Sequence, residues 1–93
     1  MGMATPSGGV KKFVGRLGDL KTDGKPNSRA DLYNKNGEKI QSRWYDANGK
    51  VTHNRDYKHG GKWPFPHDHE WTLNDNGEPS RGRDHLAVNP DFI

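Results

Sequence analysis

Two stretches of this chain echo each other, and the Asn-Gly pair they share restricts what either can fold into. Leu32-Tyr33-Asn34-Lys35-Asn36-Gly37-Glu38-Lys39-Ile40 is followed by Trp44-Tyr45-Asp46-Ala47-Asn48-Gly49-Lys50-Val51-Thr52. Asn-Gly suits the positive-φ positions of a tight turn, so both copies predict β-hairpins. Strands are expected near residues 29–34, 39–45 and 50–57, forming a meander. A fourth covers His67 to Leu73. Asn74-Asp75-Asn76-Gly77 then turns the chain toward a possible fifth strand over 81–88. In the third strand, Val51 and Tyr57 share alternation with His53 and Arg55, so the period does not choose its buried face.

The N-terminal part carries a different signal. Residues 1–9 are small, polar and glycine-rich, as in a disordered lead or expression scar. Val10, Phe13, Val14, Leu17 and Leu20 follow a helical period interrupted by Gly15 and Gly18. A short helix and an extended segment compete there. The fold class expected is α+β or mainly β: a four- to five-stranded antiparallel meander with an N-terminal segment packed across it. Residues 10–93 form one domain.

At 93 residues with 28% hydrophobic content and mean hydropathy −1.23, the core must be thin and partly aromatic. Trp44 and Trp63 are expected to belong to it. A domain this small gains stability from a tight partner. Cysteine is absent, which removes disulfides and thiolate metal sites. No long apolar run marks a transmembrane helix or signal peptide. The formal charge of +3 tolerates a polyanion without identifying one.

Candidate chemistry gathers in His59-Gly60-Gly61-Lys62-Trp63-Pro64-Phe65-Pro66-His67-Asp68-His69-Glu70-Trp71, which holds three of the five histidines. The prolines exclude a helix around Phe65. Beyond them, His67, His69 and Trp71 alternate with Asp68 and Glu70, so a strand would put both imidazoles and the indole on one face. Asp68 and Glu70 would face away. The neighbouring strand brings Asp56 and Tyr57, with His59 beyond its end. Arg43 shares a face with Gln41 and Tyr45.

Such a set suits phosphodiester cleavage. One imidazole takes a proton from the attacking hydroxyl and another protonates the leaving oxygen. Arg43 would neutralise charge on the phosphorane, and Asp56 would orient a histidine. Trp71 or Tyr57 would stack on a base, with Arg55, Lys58 and Lys62 attracting the backbone. On RNA the 2′-hydroxyl can be the nucleophile without any metal. The same residues permit a second reading, in which His67, His69, His59 and Asp56 ligate zinc or manganese and either nucleic acid is cut. A third is a non-catalytic β module that binds a protein or glycan. His53 and His85 are read as ordinary surface or hydrogen-bonded residues.

Lys25-Pro26-Asn27-Ser28, Asp31-Leu32-Tyr33, Arg43-Trp44-Tyr45, Arg55-Asp56-Tyr57-x-His59-Gly60 and Phe65-Pro66-His67-x-His69-x-Trp71 resemble the C-terminal domains of bacterial polymorphic toxins. The pattern is similar to the group called type twenty-four, found at the ends of contact-dependent and Rhs-like effectors. The similarity covers about residues 25 to 73. It implies a toxic enzyme, a nuclease, exported within a larger effector, acting in the cytoplasm of a target bacterium and neutralised by a cognate immunity protein. A monomer is expected when unbound. Many members carry Asp-x-Asp-Tyr where this chain has Asn54-Arg55-Asp56-Tyr57. Asn54 is a weaker metal ligand than Asp, which favours metal-free RNA cleavage with no cofactor.

Overall fold

The computed structural model describes residues 6–57 and 65–93. Six strands make up its regular structure: β1 (Val10–Val14), β2 (Arg29–Tyr33), β3 (Lys39–Tyr45), β4 (Val51–Asp56), β5 (His67–Leu73) and β6 (Pro79–Arg81). They form one open sheet in chain order, β1-β2-β3-β4-β5-β6. Among the described residues there is no helix, so the fold is mainly β. No helix of the described residues is long and apolar enough to cross a membrane.

The meander expected from β2 to β5 is present, and the sheet extends beyond it on both sides. At one edge the competition over the N-terminal segment ends in favour of extended chain. Val10–Val14 pairs with β2 in parallel, Phe13 opposite Leu32, so the sheet is mixed rather than antiparallel. Gly15 and Gly18 weaken a helix, while β2 offers a row of backbone partners. A parallel pair needs a long crossover, and the segment between β1 and β2 supplies it. It is this crossover, rather than β1, that packs across the sheet. Leu20 is buried, the Tyr45 hydroxyl donates to the Lys21 carbonyl at 2.6 Å, and the Val51 amide donates to the Thr22 carbonyl at 3.0 Å. Pro6 to Gly9 also belong to the fold, with the Gly8 amide donating to the Asn27 carbonyl at 2.8 Å.

At the other edge, the added strand is Pro79–Arg81 rather than 81–88. Among the described residues, the chain beyond it forms one isolated β-bridge with the sheet, between Asp68 and Leu86. Phe92 tucks back onto the sheet, stacking on His53 with ring centroids 4.0 Å apart.

The hairpin turns differ in detail from the tightest Asn-Gly type. In each, a leading Asn or Asp side chain accepts two backbone amides: Asn34 from Asn36 and Glu38, Asp46 from Asn48 and Lys50, and Asn74 from Asn76 and Glu78. Only the glycine has positive φ (Gly37 82°, Gly49 76°, Gly77 76°). This is a type I turn closed by a glycine bulge. The side-chain oxygen holds the turn, so the asparagine before glycine stays in ordinary backbone space.

A bulge also settles the buried face of β4. Tyr45 pairs with Val51 while Trp44 pairs with His53, leaving Thr52 as the extra residue. Val51 therefore joins Tyr45 and the apolar core of Leu20, Ala30, Leu32 and Ile40. His53 and Arg55 turn to the opposite face with Trp44.

Candidate functional site

Beyond the apolar core, the same face becomes polar toward β5. Pairing sets the arrangement: Gln41 lies opposite Asp56, Arg43 opposite Asn54, Asn54 opposite His69, and Asp56 opposite His67. Paired residues point to one side of a sheet, so the meander brings these groups together as the alternation predicts. His67 and His69 are both buried, as are Asn54, Asp56, Gln41 and Arg43.

Asp56 is the hub. Gln41 Nε2 and Asn54 Nδ2 donate to its Oδ1 at 2.8 and 3.1 Å. Its Oδ2 faces His67 Nε2 at 3.3 Å and His69 Nε2 at 3.5 Å. Trp71 Nε1 donates to Asn54 Oδ1, so the indole anchors the residue that anchors the carboxylate. One donor on β3 and one on β4 itself hold Asp56 in one orientation.

His69 has its other nitrogen fixed as well. Nδ1 donates to the Gly82 carbonyl at 3.0 Å. A carbonyl only accepts, so Nδ1 carries the proton and neutral His69 presents a lone pair at Nε2. Burial, the largest influence, lowers the His69 pKa, and the charges of Arg81 and His85 act the same way. The Gly82 hydrogen bond and Asp56 oppose them without reversing the direction. His69 is therefore neutral at neutral pH, with its lone pair toward a carboxylate.

His85, read from sequence as a background residue, is the third ring of the group. Its centroid lies 4.6 Å from that of His67 and 4.8 Å from that of His69. Nitrogen atoms of His67, His69 and His85 all lie within 4.8 Å of one another, and such a group can hold a metal ion. His67 and His69 are buried while His85 is partly exposed, so His85 borders the group's surface side. The alternation of β5 could not reveal it, because His85 arrives on irregular chain after β6. The one usable signal was its place close behind a turn that returns the chain to β5.

The remaining candidates divide by face. Arg43 shares the histidine side, but its Nη1 donates to the Leu20 carbonyl at 2.6 Å and its guanidinium lies 4.9 Å from the Trp71 ring centroid. Burial is the main influence that lowers its pKa. Trp71 is thus braced by Arg43 and Asn54. Tyr57 and Arg55 are on the other face: the Tyr57 hydroxyl meets Ser42 Oγ at 3.2 Å, and Arg55 grips Asp68. Neither stands beside the paired histidines as a substrate contact there. Lys58, His59 and Lys62, with Trp63, lie outside the described residues.

That opposite face holds a second buried network. Arg55 binds Asp68 through Nε at 2.7 Å and Nη2 at 3.0 Å. His53 Nε2 meets Asp68 Oδ2 at 2.6 Å, and the Asn89 amide donates to the same oxygen at 2.8 Å. Arg55 also donates to the carbonyls of Asn89 and Phe92 at 2.8 and 3.1 Å, and Trp44 Nε1 to that of Ile93 at 3.2 Å. This network is spent on docking the C-terminal segment. His53 is buried and hydrogen-bonded, the second of the two readings allowed for it, and its ring packs at both edge and face.

No protein-family model matches the chain, and no curated protein or solved structure matches it either.

Proposed function

We propose that this chain is a toxin domain that cleaves phosphodiester bonds, with RNA the favoured substrate, at the centre formed by His67, His69, Asp56 and His85. One observation carries the reading: two buried imidazoles face a single oxygen of a carboxylate whose other oxygen is already saturated by Gln41 and Asn54. Pure packing gains little from such a cluster, since burying titratable groups costs stability. Acid–base chemistry uses it. Neutral His69 takes a proton from the attacking 2′-hydroxyl at Nε2, a second imidazole protonates the leaving oxygen, and Asp56 steadies the imidazolium that forms. The partly exposed His85 side is the approach for a phosphate. The toxin assignment, the immunity-protein partner and delivery within a larger effector rest on the motif resemblance over residues 25 to 73.

A second reading is favoured by the third imidazole, which proton transfer between two histidines does not require. In that reading the nuclease is metal-dependent. Total RNA and plasmid DNA incubated with the purified domain, with and without EDTA, separate the two. RNA cleavage that persists in EDTA and leaves a cyclic phosphate supports proton transfer. Cleavage lost on chelation and restored by zinc or manganese moves the chemistry to a metal. A folded domain that cuts neither nucleic acid and is harmless in the bacterial cytoplasm is a binding module instead.

A further inference from the structure

We infer that His67, His69 and His85 form a binding site for one divalent ion of the zinc class, with Asp56 behind two of the imidazoles as the charge that balances it. The use of such an ion in cleavage rests on the metal-dependent form of the nuclease reading above, because a bound ion takes the His69 Nε2 lone pair; its binding does not.

Four features of the centre point the same way. Its nitrogens converge within 4.8 Å from two separate parts of the chain, the β5 strand and the segment after β6. His69 donates Nδ1–H to a backbone carbonyl, an arrangement that fixes the tautomer and aims the free nitrogen of metal-binding histidines. At Nε2, the resulting lone pair lies 3.5 Å from a carboxylate oxygen, so two electron-rich atoms face each other and a cation between them relieves the repulsion. Finally, Asp56 is locked by Gln41 and Asn54, which leaves Oδ2 as the oxygen turned to the imidazoles.

The donor set selects the ion. Three imidazoles with one nearby carboxylate suit zinc, cobalt, nickel or copper, whereas calcium and magnesium demand oxygen donors. Zinc–nitrogen bonds of about 2.0 Å place ligand nitrogens roughly 3.3 Å apart in a tetrahedron, so the centre must tighten on binding. His67 and His69 are fixed on a strand. His85 is on irregular chain and partly exposed, and so supplies the movement. Three histidine ligands leave the fourth position to Asp56 or to an incoming group, the arrangement of catalytic rather than closed structural sites.

The test is titration of the purified, chelator-stripped domain with zinc by calorimetry, and with cobalt by its visible absorption. One ion per chain is expected, with intense tetrahedral cobalt bands. His85→Ala should weaken zinc by about 100-fold or more while its urea unfolding curve stays close to that of the wild type. No stoichiometric binding by the folded wild type, or equal affinity in His85→Ala, overturns the inference. RNA cleavage measured on the same samples keeps the two proposals apart. Zinc binding without cleavage retains the site and removes the nuclease, while cleavage without zinc binding does the reverse.

Discussion

His69 and Gly82 are joined by a hydrogen bond from Nδ1 to the glycine carbonyl at 3.0 Å, while the Gly82 amide donates to the Glu70 carbonyl at 2.7 Å. The glycine thus ties the chain after β6 to β5 and sets which nitrogen of His69 looks toward Asp56. A Cβ at position 82 would stand 2.9 Å from the Glu70 carbonyl oxygen, closer than backbone tolerates.

Gly82→Ala should therefore shift this segment by a few tenths of an ångström and misalign His69. The expected result is a loss of RNA cleavage of roughly 10- to 100-fold, the scale of outer partners that orient functional histidines. Thermal stability should change much less. Cleavage equal to wild type in Gly82→Ala would detach His69 orientation from activity.

The opposite face predicts pH dependence of stability. Burial alone would raise the Asp68 pKa, but hydrogen bonds from Arg55, the Asn89 amide and His53 outweigh it and hold the carboxyl below its ordinary range. A carboxylate with a lowered folded pKa contributes stability that is complete above its unfolded value, about 3.9. That contribution disappears as pH falls through the folded value. Asp68→Asn should cost on the order of 3 kcal/mol at pH 7, since it leaves Arg55 buried without its counter-charge. The gap from wild type should narrow below about pH 4. Urea titrations at pH 7 and pH 3 measure both quantities, and a pH-independent gap would contradict the assignment.

The three turns share one chemistry yet should differ in tolerance. Gly37 and Gly49 both have positive φ, but a Cβ at Gly37 meets open space whereas one at Gly49 meets the Gly24 carbonyl oxygen at 2.5 Å. Gly37→Ala should cost about 1 kcal/mol from backbone strain alone. Gly49→Ala should cost clearly more, because it also pushes the crossover segment off Tyr45. Equal losses in chemical denaturation would show that the Gly24 contact yields freely.

What could be read from sequence follows the range of the interaction responsible. The hairpins were readable because each turn is closed by its own five residues, Asn34 to Glu38 for example. The shared face of Asp56, His67 and His69 was readable because alternation and a meander suffice to place it. The parity of β4 was not, since the bulge at Thr52 depends on pairing with β3. Nor was the strand state of Val10–Val14, where a partner across the crossover outweighs a helical period. Nor were the places of His85 and of His53, whose hydrogen bond to Asp68 agrees with one of the two readings allowed for it. Each owes its place to chain far away in sequence, His53 to Asp68 and Phe92, and His85 to β5.

The central claim is that the histidine centre cuts RNA. Its most direct measurement is cleavage of total RNA by purified wild type beside the His67→Ala/His69→Ala variant, with circular dichroism confirming that both are folded. The account predicts that wild type degrades RNA and that the folded double variant does not. Full activity in the double variant, or intact RNA after incubation with folded wild type, would contradict it.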